Sequence, residues 1–292
     1  MIFLCHHIFL LFMFGGDDMN SIEEDIKNTI SFINGKTIKG YGRIYSSSNE
    51  DILDLYADID FKNKNVLSVL ASGDQAFMAY LKGATSVDLF DVNKLTLYYY
   101  YLRIWTMKYF HTFYAEPYLC KLFIEKLISK VRAESDIEFS CFEYWRIFLK
   151  QLEDHDLRKL FFSLSTIIQL SDEELKRLCN SLKKKKSTFY NVDISSEINI
   201  QKKYDIIITS NIPDWIYSSD ESLKKYKENI DRLLNPKGIV LSSNLSISEP
   251  NPNEKKYFDE NFDFYELETK SNSCFGDSPG YMFVKRNDLK WT

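Results

Sequence analysis

Glycine, proline, cysteine and histidine are all sparse in this chain. Its 292 residues include 10 Gly, 6 Pro, 5 Cys and 4 His. The cysteines are scattered, odd in number and never paired as CxxC, so neither a disulfide framework nor a cysteine zinc site is indicated. No metal-spaced histidine helix, glycine-rich kinase loop or serine nucleophile elbow occurs. These absences argue against covalent and metal-dependent catalysis, and we expect no metal site.

An excess of basic residues and an apolar run long enough to cross a bilayer are also missing. The net charge is −5, so we expect no nucleic-acid partner. The apolar start, residues 1–14, is too short to span a membrane and has no basic residue before it. We interpret residues 1–18 as an apolar leader or a misassigned start, with Met19 beginning the working protein. A cytoplasmic location with at most peripheral membrane contact is expected, and the oligomeric state is left open.

The segment Asn65–Asn93 carries the strongest functional signal. An apolar run, a polar turn, a short helix and a second apolar run follow one another, and the second run ends at Asp91. This order opens a nucleotide-binding α/β domain. Gly73 is the only glycine of the turn and Asp74 follows it, so the turn is poorly suited to a pyrophosphate. A ligand with a ribose and a positive or zwitterionic group fits better. We therefore predict S-adenosylmethionine, with Asp91 binding the ribose.

The rest of the chain predicts a large helical segment inside an α/β fold. From Lys94 the apolar periodicity is helical until strand patterns resume at Thr188, and two closing strands without a helix between them indicate an antiparallel hairpin. We predict an α/β, Rossmann-like mixed sheet of the class I methyltransferase type with a helical insertion after the second strand. The predicted segments are an N-terminal helical part (19–64), a first cofactor-binding part (65–111), the insertion (112–187) and a second cofactor-binding part (188–292).

Three short motifs give the chain a resemblance to a known family. The turn Ser72-Gly73-Asp74-Gln75 has the form Ser-Gly-Asp-Gln, and Asp91-Val92-Asn93-Lys94 has the form Asp-x-Asn-Pro except at its last residue. Upstream, Tyr45-Ser46-Ser47-Ser48-Asn49-Glu50 is similar to Tyr-x-Phe-Thr-Asn-Glu. With these motifs the chain resembles the S-adenosylmethionine-dependent, methyltransferase-like family related to bacterial diacylglycerol 3-amino-3-carboxypropyltransferases of betaine-lipid synthesis.

The turn and the two flanking motifs supply most of the predicted cofactor site. In the turn we expect the Asp74 carboxylate to attract the positive part of the methionine moiety. Asn93 is either a companion of Asp91 or the cap of the helix that begins at Leu95. The cofactor-binding residues predicted from these motifs are Tyr45, Asn49, Ser72, Gly73, Asp74, Gln75, Asp91, Val92 and Asn93.

Two further strand ends complete the predicted site. Asp193, at the end of a predicted third strand, is expected against the adenine amino group, and the alternative is a loop acid before Ser195. The turn after the fourth strand is expected to face the transfer position. There Ser210 would contact the cofactor, while Asn211 and Asp214 would be catalytic by aligning an acceptor amine, with Asp214 as a possible base. The alternative is a structural turn with Trp215 packed inward.

These features predict a transferase that uses S-adenosylmethionine, most simply to methylate a nitrogen or oxygen of a small-molecule or lipid acceptor. The resemblance leaves open 3-amino-3-carboxypropyl transfer to a lipid or small acceptor. A catalytically silent scaffold of the same fold is the third alternative, because Leu70 stands where the family commonly has a small residue and Lys94 stands where it has proline. The tyrosine run Tyr98–Tyr101 is interpreted as core packing, with an apolar acceptor cleft as the alternative.

Overall fold

A computed structural model describes residues 16–48, 50, 52–113, 120–133, 136–162, 170–216, 219–243, 262–267 and 280–286. The chain divides into two compact units. Unit 1 comprises Met1–Ile44 and Asn93–Phe162, and unit 2 comprises Tyr45–Val92 and Ser163–Thr292. This division differs from the predicted segments, because the first helix belongs with the helices that follow the second sheet strand. Within the described ranges, no helix combines the length and apolar character that crossing a membrane requires.

Helices and strands alternate along unit 2, whereas the elements described for unit 1 are helices apart from two short strands. In chain order the elements are α1 (Gly16–Ile33), β1 (Ile44–Tyr45), α2 (Ile52–Leu55), β2 (Asn65–Val69), α3 (Asp74–Leu81), β3 (Ser86–Phe90), α4 (Leu95–Phe110), α5 (Lys121–Lys130), α6 (Asp136–Phe148), a 3-10 turn (Leu149–Gln151), α7 (Asp154–Leu160), β4 (Phe161–Phe162), α8 (Asp172–Lys184), β5 (Phe189–Tyr190), β6 (Tyr204–Ser210), α9 (Ile212–Ile216), α10 (Asp220–Leu233), β7 (Leu234–Ser243), β8 (Phe262–Leu267) and β9 (Gly280–Lys285).

Unit 2 is built on a seven-stranded mixed sheet with the order β5-β3-β2-β6-β7-β9-β8. The pairs from β5 to β7 are parallel, and β9 is antiparallel to both β7 and β8. Numbered along the chain, these seven strands have the order 3-2-1-4-5-7-6, which is the class I methyltransferase arrangement. The predicted fold class, including the closing hairpin, is therefore confirmed.

The central strands are apolar because helices cover both faces of a parallel sheet. Ile206, Ile207 and Ile208 of β6 are at most 1% exposed. β-Branched residues suit such a doubly buried strand, since they pack well on a pleated surface. On one side of the sheet, Ile230 and Leu233 of α10 belong to the same hydrophobic cluster as Ile207. The carboxyl ends of β2, β3, β6 and β7 consequently lie along one edge.

Unit 1 packs helix α1 against the helices that follow β3. Ile22 and Ile26, one helical turn apart on α1, are 2% and 3% exposed, and α1 contacts both α6 and α7. The predicted helical insertion is present, although the two-residue strand β4 interrupts it. Tyr98–Tyr101 are between 0% and 9% exposed, and the Tyr98 ring stacks on Tyr144 with centroids 3.8 Å apart. The tyrosine run is therefore core, as predicted.

A buried carboxylate joins helices α1 and α4 and the segments that follow α1 and precede α4 in unit 1. Asp25 of α1 accepts hydrogen bonds from the hydroxyls of Tyr41 and Tyr98 and forms an ion pair with Lys94, with Nζ and Oδ2 2.6 Å apart. Burial and the neighbouring carboxylate raise the pKa of Tyr98 above its usual range. Lys94, where the family motif has proline, thus has a structural partner in this chain.

We expect Asp25→Asn to lower the free energy of unfolding by about 2–4 kcal/mol. The amide keeps the shape of the carboxylate but loses the charge that holds Lys94 and two hydroxyls. Urea unfolding followed by circular dichroism measures the change. As a matched control, Asp156→Asn removes a partly exposed i,i+3 ion pair with Lys159 and should change stability by less than about 1 kcal/mol. Equal losses in the two variants would show that the Asp25 network contributes no more than a surface pair.

Candidate functional site

The turn after β2 is held in an uncommon backbone conformation. Gly73 has φ 90° and Ala71 has φ 43°, both in the left-handed region. Glycine adopts this region without a Cβ clash, which explains why the single glycine stands where it does. Leu70 lies in the core at 0% exposure, and its N–H donates to the Phe90 carbonyl at 2.9 Å. Its bulk is therefore accommodated below the turn.

Asp91 links the ends of two neighbouring strands. It follows β3 directly, is half-buried, and its Oδ2 accepts from the Ala71 N–H at 2.9 Å. Next to it Val92 is 52% exposed, so this end of the site is open to a ligand. Asn191, which was not predicted, donates through Nδ2 to the carbonyls of Asp91 and Val92 at 2.8 and 3.1 Å. The sequence signal that could have identified Asn191 is its position, as a polar residue directly after the third strand of the sheet.

The rest of the turn lies beneath the segment that starts at Tyr45. Ser72–Gln75 are buried, and Asp74 is 1% exposed. The Oδ2 of Asp74 accepts from the Ser48 N–H at 2.6 Å and from the Ser72 hydroxyl at 2.8 Å. Asp74 therefore attaches the upstream segment to the turn through the carboxylate for which the sequence predicts a contact with the ligand. The attraction of a positive group by Asp74 stays a prediction.

The upstream segment itself contains two predicted residues. Tyr45, in β1, is half-buried, and burial raises the pKa of its phenol. Asn49 lies outside the described residues. The contacts of Ser48 and Glu50 nevertheless show that the segment is part of the site edge. Cofactor binding by Tyr45 and Asn49 stays a prediction.

Glu50 is the most informative residue that the sequence did not single out. It is 1% exposed and accepts hydrogen bonds at Oε1 from the hydroxyls of Ser210 and Ser243. Its Oε2 lies 3.4 Å from Nε2 of Gln75, the last residue of the predicted turn. Three distant parts of the chain thus meet at one carboxylate. Burial raises the pKa of Glu50, and the Asp74 carboxylate raises it further, while the hydrogen bonds act in the opposite direction.

The fourth strand of the fold, β6, ends at a strained residue. Ser210 has φ 53°, and the β6–β7 register shifts between Ile208 and Ser210, as at a β-bulge. Such strain is found at functional sites more often than elsewhere. Asn211 follows and is half-buried, while the side chain of Asp214 in α9 lies outside the described residues. Trp215 is 71% exposed, so the alternative in which it packs inward is wrong.

Two other predicted residues have local structural contacts. The third strand of the fold, β5, ends at Tyr190, so Asp193 lies three residues beyond it in an exposed loop. Its Oδ1 accepts from the N–H and the hydroxyl of Ser195 at 2.8 and 2.6 Å, which is the turn that the alternative describes. The adenine role stays a prediction.

Asn93 belongs to unit 1. Its Oδ1 accepts from the N–H of Leu95 at 3.2 Å, and its Nδ2 donates to the Gly42 carbonyl at 3.1 Å. The cap of α4 is therefore the role that the structure shows for Asn93. Among the described residues, no group of three or more histidine, cysteine, aspartate or glutamate side chains is arranged to hold a metal ion.

Comparisons with known proteins find distant structural likeness only. No protein-family model and no curated protein matches the sequence. The N-methyltransferase NodS from Bradyrhizobium japonicum WM9 is 8% identical, with a TM-score of 0.41 over 80% of this chain and 91% of its own. The glycopeptide N-methyltransferase MtfA is 12% identical, with a TM-score of 0.43 over 87% and 97%.

A TehB-like SAM-dependent methyltransferase from Corynebacterium glutamicum ATCC 13032 Kitasato is 10% identical, with a TM-score of 0.40 over 92% of this chain and 98% of its own. Superpositions at this level do not assign an activity. The fold of unit 2 follows from its own strand order, and its function has to be argued from its own residues.

We expect Glu50→Gln to reduce the loss of stability of the protein as the pH rises. A carboxyl with a raised pKa in the folded state binds its proton more tightly there than in the unfolded chain. The contribution of Glu50 to stability is therefore fully present below its ordinary pKa of 4.5 and is lost as the pH rises through its raised pKa in the folded state. Because glutamine does not ionise, unfolding free energies measured from about pH 4 to about pH 8 should fall less in the variant than in the wild type.

Glu228→Gln is the matched control. Glu228 lies on α10 with its side chain 51% exposed. The same chemical change there should leave the pH dependence parallel to that of the wild type. A Glu50→Gln profile that also runs parallel would show that Glu50 is hydrated in the folded protein, contrary to the structure.

Proposed function

We propose that this protein is a transferase that uses S-adenosylmethionine, most simply a methyltransferase acting on a nitrogen or oxygen of its acceptor. The observation that carries the proposal is the link between Asp91 and Ala71 at the carboxyl edge of a class I sheet. In open α/β sheets, ligands bind outside the carboxyl ends of the strands where the strand order reverses. That point lies between β2 and β6, beside the turn and close to Asp91.

The residues at this edge suit an adenosyl ligand. One carboxylate can accept hydrogen bonds from two adjacent ribose hydroxyls, and Asp91 is half-buried at the open end. The exposed side chain of Val92 beside it offers an apolar surface for a flat base. When bound, S-adenosylmethionine would supply a methyl group already activated on a sulfonium. The protein then has mainly to align an acceptor, for which Asn211 and Asp214, just after the end of β6, are the candidates.

The features that favoured a silent scaffold have structural explanations. Leu70 packs in the core below the turn, and Lys94 forms its ion pair with Asp25 inside unit 1. Neither substitution therefore argues for loss of the cofactor. In the part of the chain that the structure describes, these two residues therefore do not favour the scaffold alternative.

We expect S-adenosylmethionine to bind the full-length protein and Asp91→Asn to weaken that binding roughly 10- to 100-fold. The asparagine can still accept from the Ala71 N–H, so the turn is preserved while the charge-assisted ribose hydrogen bonds are lost. Isothermal titration calorimetry measures both affinities, and Glu228→Gln serves as the surface control. Absence of heat from folded wild-type protein would overturn the proposal. If the variant binds S-adenosylmethionine as tightly as the wild type does, Asp91 does not bind the ribose.

The by-product identifies the group that is transferred. We expect incubation with S-adenosylmethionine and a panel of amines, alcohols and lipid extracts to release S-adenosylhomocysteine, measured by liquid chromatography. Release of methylthioadenosine would indicate 3-amino-3-carboxypropyl transfer, in which the acceptor attacks a different carbon of the same cofactor. Protein carrying Asp91→Asn controls for spontaneous breakdown of the cofactor.

A further inference from the structure

The surroundings of Glu50 contain more hydrogen-bond acceptors than donors. The carboxylate offers about four acceptor positions and receives two hydroxyls and one distant amide N–H. Oε1 of Gln75, on the amide that contacts Glu50, is buried without a hydrogen-bond partner. Buried polar atoms are rarely left in this state, because each costs the hydration it has lost.

The charge at this position is also uncompensated among the described residues. The other ionisable groups that act on or respond to Glu50 are the Asp74 carboxylate and the Tyr56 phenol, and neither is positive. The ion pairs found in the described ranges of unit 2 all lie elsewhere. A buried carboxylate is stable only when it is neutralised by a proton or paired with a cation.

A small cavity adjoins the carboxylate. It has a volume of about 10 Å³ and is lined by Glu50, Ser210, Ser243 and Tyr56, with Leu241 and Leu267 among its apolar walls. This is about the space that a single water molecule needs, so the cavity, which is partly open, takes only the nitrogen end of an amine while its carbon chain stays at the opening. An aromatic ring in the wall is compatible with a cation, since ring faces attract positive charge.

We propose that the cavity beside Glu50 binds a primary ammonium group. Its three N–H donors complement the surplus of acceptors, its charge compensates the carboxylate, and its size fits the cavity. Quaternary ammonium groups are too large to enter. The ends of β6 and β7 line part of the cavity, and the end of β6 is where the proposed function aligns its acceptor, so we assign the ammonium to an amine acceptor. That assignment rests on the proposed function, whereas the binding site itself does not.

Methylammonium chloride is the probe for the binding site. We expect it to raise the thermal midpoint of the full-length protein by roughly 1–3 °C at saturating concentration, through selective binding to the folded state. Tetramethylammonium chloride and sodium chloride at equal concentrations should give no such rise. Glu50→Gln should abolish the methylammonium effect, and Glu228→Gln should keep it. Equal shifts with the three salts, or an unchanged effect in Glu50→Gln, would overturn the proposal.

If the Glu50→Gln protein fails to fold, hydrogen exchange in the wild-type protein tests the site instead. In wild-type protein, methylammonium should slow amide hydrogen exchange in the peptides that carry Glu50, Ser210 and Ser243, and tetramethylammonium should not. If methylammonium slows exchange evenly over the chain, or does not slow it at all, the proposed site is wrong.

Two nucleosides identify the source of the ammonium group. S-adenosylhomocysteine carries an amino-acid ammonium group, and methylthioadenosine lacks it. If an acceptor amine occupies the cavity, Glu50→Gln should change the calorimetric affinities for the two nucleosides by the same factor. A tenfold loss confined to S-adenosylhomocysteine would keep the ammonium site but transfer it to the cofactor. If neither nucleoside binds but methylammonium still raises the thermal midpoint, the proposed function is wrong and the ammonium site is supported.

Discussion

Parallel pairing of β2 with both β3 and β6 is the constraint on which the site depends. Parallel neighbours cannot be joined by a tight turn, so each strand must return through a crossover before it pairs. All their carboxyl ends then fall on one edge, and residues far apart in sequence meet there. Asp91 reaches Ala71 across one pair, and Ser210 and Ser243 end the next two strands of the same edge.

Hydrogen bonds hold the segment before β2 against that edge and enclose part of the site. Ser48 is bound to Asp74 and Glu50 to Ser210, so the chain before β2 lies over the turn that follows it. The carboxylates that do this are themselves desolvated, and the hydroxyls and amides that donate to them offset part of that cost. One end of the edge, at Asp91 and Val92, is accessible, whereas the other narrows to the small cavity beside Glu50.

The parts of this arrangement that local patterns determine could be predicted from the sequence. Apolar strand runs, the single turn glycine and the acid at a strand tip are short-range features, and they led to Gly73 and Asp91. Glu50 could not be found in this way, because its partners lie 160 and 193 residues away. Asp193 was placed at a strand end because TFYNVD has strand composition. The strand stops at Tyr190, since Asp193 makes its own turn with Ser195.

The separation between Glu50 and Ser243 has a consequence for how the protein acquires its site during synthesis. Contacts across most of a chain form late in folding, since the intervening segment must first be ordered. A nascent chain released up to β6 already contains the turn and Asp91, yet its Glu50 still lacks the Ser243 hydroxyl. The emerging polypeptide therefore carries an unsatisfied acid at its sheet edge until β7 is paired. Premature termination after β6 would leave a chain with the cofactor motifs and an incomplete site.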